Sequence, residues 1–250
     1  MRLGTTSYIY PADMLTNVRK LADKIDDIEL VIFQADAEDN LPDASTIDEL
    51  LRVASDHDLT YTVHLPLDLC MADSNPSVEK AVRVIRATQP LRPYAYIVHL
   101  DGGSPEKVIP AGLHLKNSLC SLETLCAESG ELENVCVENL DNQPPELIDA
   151  ILERITVSSC VDVGHLWKQG LDPLPPLKRW IGRARVVHMH GVGTRDHKRL
   201  SLITGEKLDP VVEFLDSQFD GVLTFEIFSE RDLTDSLKAF HRSVERIKKG

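Results

Sequence analysis

The chain has 250 residues, of which 42% are hydrophobic and 27% charged, and this length suffices for one large domain with a substantial core. Its net charge of −13 argues against a general affinity for nucleic acids, because phosphate binding depends mainly on Lys and Arg. The sequence shows no apolar run long enough to span a membrane, no secretory signal and no C-x-x-C pair among its five cysteines. These features predict a protein of the reducing cytoplasm.

Short apolar, β-branched runs alternate along the chain with longer stretches of helical periodicity. Strands are predicted near residues 2–8, 28–34, 60–65, 95–100, 134–139, 156–162, 185–190 and 222–227. The clearest amphipathic helices are predicted at 12–25, 45–57, 76–88 and 233–249. Eight strand–helix units predict an α/β fold, a single-domain (β/α)8 TIM barrel over residues 1–250, with a doubly wound open sheet as the alternative. The Pro-rich segment 166–182 predicts a broken sixth helical layer.

The predicted strands three to eight all end in residues that can bind metal ions. These residues are His64, His99, Glu138, Asp162, His188, His190 and Glu226, and the loops after strands six and seven add His165, Asp196 and His197. Chemistry in a TIM barrel takes place at the carboxyl ends of the strands, so these side chains are expected to converge. Several carboxylates in one mouth would repel each other unless cations lay between them. The pattern therefore predicts a site for Zn, Mn or Fe.

The motifs VHLPL, VHLDGG, VEN, DVGH, HMH and FEI, in this order, resemble the xylose-isomerase-like superfamily of TIM barrels. That superfamily includes single-metal sugar isomerases and epimerases, and trinuclear-zinc endonucleases that cut DNA at abasic sites. Its common metal-binding residues are Glu, Asp, His and Glu from strands five to eight. The resemblance implies that Glu138, Asp162, His188 and Glu226 hold a metal ion here.

The histidines after strands three and four bear on the choice between these activities. The endonucleases hold a second zinc with two such histidines, which correspond to His64 and His99. They hold a third zinc with the last residue of D-x-x-H, here His165, and with a later D-x-H motif. This chain instead reads RDHKR, where Asp196 and His197 are adjacent, which leaves the third set of ligands open. The resemblance implies two or three divalent ions per chain, with His197 as a candidate ligand.

Two or three neighbouring cations suit phosphodiester hydrolysis, because they stabilise both the attacking and the leaving oxygen. Glu138 is then expected to bridge two ions and to position the attacking water. Glu138, Glu226 and His190 are the candidate catalytic residues, and His190 is an additional imidazole that could bind either metal or substrate. Isomerisation instead needs one metal ion and carboxylates that are free to move a proton. The extra histidines favour a hydrolase.

A narrower resemblance covers the first 100 residues. The stretches LGTTSYIYPADMLTNV, DDIELVIFQ, LTYTVHLPLDL and AYIVHL are similar to the cobamide-remodelling phosphodiesterases of the superfamily. This similarity implies cleavage of a phosphoester in the nucleotide loop of a B12-type corrinoid, and leaves open which bond is cut. Thr6 and Tyr8 at the end of strand one, and Arg195 in the basic stretch 178–199, are the candidate substrate contacts.

Two other functions remain open from the sequence. The first is a sugar or sugar-phosphate isomerase or epimerase with one metal ion, and the second is a non-catalytic binder of corrinoids or sugars. In each case the expected partner is a small or mid-sized organic molecule, with no nucleic acid and no membrane. The sequence leaves the oligomeric state and the identity of the metal open.

Overall fold

Eight parallel strands close into a barrel in the computed structural model of the chain. The structure describes residues 1–33, 40–66, 75–101, 111–194 and 197–249. The strands are β1 (Arg2–Thr6), β2 (Asp27–Val31), β3 (Thr60–His64), β4 (Tyr96–Val98), β5 (Val135–Glu138), β6 (Ser158–Asp162), β7 (Ala184–Met189) and β8 (Val222–Phe225). The predicted TIM barrel is confirmed, and the open sheet is wrong, because β1 pairs with β8 in a register that places Gly4 beside Thr224.

Helices cover the outside of the barrel. They are α1 (Met14–Leu21), α2 (Ala44–His57), α3 (Asn75–Thr88), α4 (Ala111–Ser129), α5 (Glu146–Leu152), α6 (Val163–Lys168), α7 (Leu174–Trp180), α8 (Gly205–Gln218) and α9 (Glu230–Ile247). The four helices predicted from periodicity correspond to α1, α2, α3 and α9. Asp13 and Asp43 set the starts of α1 and α2, because their carboxylates accept hydrogen bonds from the main-chain nitrogens of Thr16 and Thr46.

The segment between β6 and β7 is divided into two short helices, α6 and α7. Pro173 precedes α7 and Pro175 lies in its first turn, where the missing N–H group is tolerated. Trp180 at the end of α7 is buried, and its indole nitrogen donates a hydrogen bond of 2.7 Å to Asp149 of α5. The predicted break in the sixth helical layer is therefore present. The hydrogen bond of Trp180 attaches α7, the second half of this layer, to α5.

The main hydrophobic core lies between the outer face of the barrel and the helices. Leu21, Leu50, Ile85, Leu177 and Leu215 are fully buried there, one from each of five helices. Burying such a side chain stabilises the fold by about 1.5–3 kcal/mol relative to leaving it exposed. This layer fixes the strands against the helices and so fixes the positions of the strand ends.

The lower half of the barrel interior has an apolar side and a polar side. The apolar side is filled by Ala95, Ile97, Cys136, Cys160, Val186 and Val222. On the polar side, Asp27 of β2 accepts hydrogen bonds from the hydroxyl groups of Thr60 at 2.6 Å and Thr62 at 2.9 Å. Burial raises the pKa of Asp27 to about 7. Side chains therefore fill the barrel interior beneath the carboxyl ends of the strands.

Most of the described cysteines are buried, as is usual for small hydrophobic side chains. Cys126, Cys136 and Cys160 are buried free thiols, Cys120 is exposed, and Cys70 lies outside the described residues. Among the described helices, none combines the length and the apolar character that crossing a bilayer requires.

Candidate metal centre

Four side chains from four consecutive strands meet at the carboxyl end of the barrel. Glu138 ends β5, Asp162 ends β6, His188 lies near the end of β7, and Glu226 follows β8. His188 Nδ1 lies 3.5 Å from Glu138 Oε1, 3.9 Å from Asp162 Oδ2 and 3.4 Å from Glu226 Oε2. All four residues are buried, and each offers a ligand atom within 4.8 Å of the others. These residues, here called the quartet, form a mixed nitrogen and oxygen set that suits a divalent cation.

Two more histidines join the quartet through Glu138. His64 Nε2 and His99 Nε2 lie 3.4 Å and 3.0 Å from Glu138 Oε2. Their rings are nearly perpendicular, with centroids 4.8 Å apart. Since Glu138 Oε1 faces the quartet and Oε2 faces these histidines, one carboxylate serves both groups. His64, His99 and Glu138 thus form a second candidate metal group.

A third candidate group consists of His165, His190 and His197. The rings of His190 and His197 stack at 4.4 Å, and the ring of His165 lies 5.5 Å from the first and 5.8 Å from the second. This group also contacts the quartet, because His190 Nε2 lies 3.3 Å from Asp162 Oδ2 and His197 Nε2 lies 3.0 Å from Glu226 Oε2. The structure therefore places His190, which the sequence left without a definite role, among the histidines of the third group.

Six buried ligand atoms of this centre have no hydrogen-bond partner among the described residues. They are His64 Nε2, Glu138 Oε1, Asp162 Oδ2, His188 Nδ1, His190 Nε2 and Glu226 Oε2. A buried polar atom without a partner costs about 1–3 kcal/mol, and more when the group is charged. Their concentration in one place indicates a common partner, and nitrogen and carboxylate oxygen atoms together fit divalent cations.

The carboxylates and imidazoles of the centre shift one another's pKa values. Burial alone would raise the pKa of Glu138, but His99 and His188 hold it well below its usual range, and neighbouring histidines do the same for Glu226. Burial alone would lower the pKa of His64, but the contact with Glu138 raises it to about 9. In the absence of metal the carboxylates are thus balanced by protonated imidazoles. Protons and cations therefore compete for the same ligand atoms.

Main-chain contacts direct Asp162 toward the quartet. Its Oδ1 accepts a hydrogen bond of 2.6 Å from the main-chain nitrogen of His165 at the start of α6, which leaves Oδ2 for the quartet. Asn139 accepts a hydrogen bond from Asp162 N at 2.8 Å and donates one to Asp162 O at 2.9 Å. The sequence patterns predict no role for Asn139, although its position directly after Glu138 in the VEN motif was a usable signal.

The family of the chain follows from a comparison with models of known families. The model described as xylose isomerase-like TIM barrel matches residues 18–249. The chain belongs to this family. The resemblance expected from the strand-end motifs is confirmed at this level, whereas membership of the cobamide-remodelling branch is not shown. A comparison with curated proteins found no match.

Several solved structures share the fold of this xylose isomerase-like barrel. A D-tagatose 3-epimerase-like protein has a TM-score of 0.82 at 19% identity, covering 100% of this chain and 99% of its own. The 3-keto-D-glucoside 4-epimerase from E. coli has a TM-score of 0.70 at 17% identity, with 100% of both chains covered. A family 2 AP endonuclease from Brucella melitensis has a TM-score of 0.72 at 15% identity, covering 97% and 99%. At these identities the likeness shows the fold alone.

The predicted substrate contacts of this xylose isomerase-like barrel lie in different surroundings. Thr6 is buried in the barrel wall, where its hydroxyl donates a hydrogen bond of 2.7 Å to the carbonyl oxygen of Ile227. Tyr8 is 47% exposed and, together with Phe33, lines a groove of about 480 Å³. Arg195 and Asp196 lie outside the described residues. The roles of all three candidate contacts in substrate binding stay predictions.

Glu29 is a carboxylate of the barrel interior that the strand-end pattern does not predict. It lies in the middle of β2 and is fully buried, and its Oε2 lies 2.8 Å from His188 Nε2. The signal in the sequence was an acidic residue within the apolar run IELVI, two positions after Asp27. Residues two positions apart in a strand point to the same side, so both carboxylates face the interior.

Replacing Gly164 with alanine is expected to displace His190 from the centre. A Cβ atom at Gly164, in α6, would lie 2.2–2.4 Å from ring atoms of His190. Overpacking of this kind typically destabilises a protein by about 1–3 kcal/mol, and loss of the imidazole from the third group is expected to lower the metal content. Chemical denaturation and elemental analysis measure the two effects. Gly182→Ala is the matched control, because a Cβ there meets nothing within 4 Å. Equal effects of the two variants would contradict the prediction.

Proposed function

We propose that this xylose isomerase-like barrel is a metal-dependent hydrolase that cleaves a phosphoester in a small or mid-sized organic substrate. The observation that carries the proposal is the sharing of Glu138 between the quartet and the pair formed by His64 and His99. A carboxylate held between two groups of metal ligands is suited to bridging two cations. It is poorly suited to accepting a proton from a carbon atom, because both of its oxygens already face ligand groups.

The residues of the centre would have different roles in hydrolysis. When bound, two or three divalent cations supply stabilisation of the attacking and leaving oxygens of the phosphoester. Glu138 would hold cations of both groups and would in this way position the attacking water at the junction of the quartet and the pair of His64 and His99. His190 belongs to the third group, and Glu226 lies 3.0 Å from His197 of the same group. From this position Glu226 and His190 can orient the substrate or deliver a proton to the leaving oxygen.

The substrate proposed first is a cobamide, cleaved at a phosphoester of its nucleotide loop. Support comes from the similarity of the first 100 residues to the cobamide-remodelling phosphodiesterases, and from a net charge of −13, which suits an organic substrate better than DNA. Tyr8 and Phe33 add an aromatic surface beside the end of β1, with ring centroids 5.9 Å apart, which suits a bulky, partly apolar molecule.

A sugar epimerase or isomerase with one metal ion is the second candidate function. Among the structural neighbours, the D-tagatose 3-epimerase-like protein and the 3-keto-D-glucoside 4-epimerase favour this candidate over a cobamide phosphodiesterase. In that case the quartet holds the one ion, and Glu138 and Glu226 move the proton. His64 and His99 then line the pocket and take no part in metal binding.

The metal content of the protein separates the two candidates. Elemental mass spectrometry on protein without a histidine tag is expected to find two or three equivalents of Zn, Mn or Fe per chain. The double variant His64→Ala/His99→Ala is expected to lose at least one equivalent and most of its turnover. His241→Ala, an exposed histidine on α9, is the control and is expected to keep both. One equivalent in the unmodified protein, retained by the double variant, would favour the epimerase.

The substrate is then tested directly with the metal-loaded protein. Incubation with an adenosylated cobamide, followed by chromatography, is expected to give a phosphoester cleavage product. Conversion of a ketose to its epimer, with the cobamide left intact, would support the second candidate. Tight binding of a cobamide or a sugar without any product, under each metal tested, would leave a non-catalytic binder as the explanation.

A further inference from the structure

Glu29 contacts the centre from below, through a ligand of the quartet. Its Oε2 lies 2.8 Å from His188 Nε2, and both side chains are fully buried. At this distance the contact is a hydrogen bond with ideal spacing between the imidazole nitrogen and the carboxylate oxygen. Glu29 lies in β2, a strand that adds no residue to the quartet, so this contact ties a further strand of the barrel to the site.

The contact with Glu29 decides which nitrogen of His188 faces the quartet. A neutral imidazole carries a proton on one nitrogen and a lone pair on the other. When His188 is neutral, as in its cation-binding form, and its Nε2–H donates to Glu29, the lone pair is on Nδ1. This atom lies 3.4–3.9 Å from the carboxylate oxygens of Glu138, Asp162 and Glu226, and no described donor hydrogen-bonds to it. The lone pair thus points to the place where three carboxylates meet.

Other histidines of the centre are held by neutral groups. Nδ1 of His64 donates to the carbonyl oxygen of Leu65 at 2.8 Å, and Nδ1 of His165 donates to that of Asn139 at 2.9 Å. His188 differs from both because its partner is a carboxylate in a fully buried position. A carboxylate partner fixes the orientation of a metal-binding imidazole and also raises its basicity, which strengthens its bond to a cation.

We propose that Glu29 is a positioning residue, which holds His188 in the tautomer with Nδ1 free and thereby tightens the binding of the cation in the quartet. The inference rests on the quartet holding a cation, which the hydrolase and the epimerase have in common. The test measures metal binding, so its result does not depend on which of the two reactions the protein catalyses.

The test measures the affinity of the metal-free protein for Co²⁺, by competition with a chromophoric chelator. Glu29→Ala is expected to weaken the binding of one Co²⁺ equivalent about 10–100-fold, which is the usual effect of losing such a partner. Glu29→Gln keeps an acceptor oxygen without the charge and is expected to recover part of the affinity. The number of equivalents bound at saturation is expected to stay the same in both variants, and the visible absorption of bound Co²⁺ is expected to change in Glu29→Ala.

Asp27→Asn is the matched control for burial of a carboxylate in β2. Asp27 also faces the barrel interior and is fully buried, but its oxygens bind the hydroxyl groups of Thr60 and Thr62 and contact no imidazole of the centre. This variant is expected to bind Co²⁺ as the unmodified protein does. A loss of affinity equal to that of Glu29→Ala would overturn the proposal, since the effect would then belong to the barrel interior in general.

Two further results would overturn the proposal. The first is unchanged Co²⁺ affinity in both Glu29 variants, with circular dichroism showing that they are folded. The second is the loss of a whole equivalent at saturation, which would make Glu29 itself a ligand together with His64 and Glu226, whose ligand atoms lie within 4.8 Å of its own. If Glu29→Ala does not fold, Glu29→Gln and the tautomer of His188 in the Zn²⁺-loaded protein, read by ¹⁵N NMR, decide. A proton on Nε2 is expected, and a proton on Nδ1 would refute the proposal.

Discussion

Replacing Glu138 with glutamine is expected to lower turnover by roughly 10²–10⁴-fold, the range found when a group that handles a proton in catalysis is lost. The side chain lies within 3.5 Å of four imidazoles, those of His64, His99, His165 and His188. An amide of the same shape keeps one acceptor oxygen but removes the negative charge and one of the two metal-binding atoms. The variant is therefore expected to lose metal ions as well as activity.

Steady-state kinetics and elemental analysis of the same Glu138→Gln preparation measure both effects. Glu146→Gln, at an exposed carboxylate of α5, is the control and is expected to keep the activity and metal content of the unmodified protein. Turnover within a few-fold of normal, with the full metal content, would show that Glu138 neither bridges cations nor handles a proton. That result would remove the basis of the hydrolase and also count against the epimerase.

Removal of the metal ions is expected to cause a large loss of stability. A cation that binds only the folded chain stabilises it by about 4 kcal/mol when its concentration is a thousand times its dissociation constant. Without cations, the buried carboxylates of Glu138, Asp162 and Glu226 are balanced only by protonated imidazoles, which replace the cations incompletely and lose their protons as the pH rises. Thermal melts with and without a chelator measure the difference, and re-addition of Zn²⁺ or Mn²⁺ is expected to restore the original melting temperature. His188→Ala is expected to respond less to the chelator.

The effect of the chelator is expected to grow as the pH rises. In the metal-free protein the contact with Glu138, working against burial, raises the pKa of His64 from 6.5 to about 9. A group whose pKa is raised by folding stabilises the folded state fully below its unfolded pKa, and this contribution is lost as the pH rises through the folded value. The metal-free protein should therefore lose stability between about pH 6.5 and 9. The loaded protein, whose histidines are neutral ligands, should not, and a chelator effect that shrinks over this range would contradict the assignment.

The barrel and most of the centre could be predicted from the sequence because a polar residue at the end of a short apolar run marks the end of a strand. Runs such as YTVHL and YIVHL combine β-branched and aromatic residues with a polar end, and the closed barrel places all such ends on one face. His64, His99, Glu138 and the other strand-end residues were found in this way. Periodicity defines the ends of helices less sharply, since α1 covers Met14–Leu21 within the predicted 12–25.

The residues that the strand-end pattern misses depend on contacts between distant parts of the chain. Glu29 lies in mid-strand, and its importance follows from a contact with a residue 159 positions away, which no local pattern contains. Asn139 acts through the main chain of Asp162, and nothing in its own type indicates that partner. His190 ends a predicted strand, but its place in a histidine group depends on the pairing of Gly191 with Lys198, which lies next to the stacked rings of His190 and His197.

The hydrogen bonds that hold two of the imidazoles end on main-chain oxygens, and this has an evolutionary consequence. The carbonyl groups of Leu65 and Asn139 orient His64 and His165 through the main chain, so these two contacts do not depend on side-chain identity, although the side chain of Asn139 separately holds Asp162. Their orientation is thus insensitive to sequence drift around them, provided that the barrel keeps its path. A lineage with this centre can change the side chains beside His64 and His165, and with them its range of substrates, while the orientation of these two imidazoles is inherited.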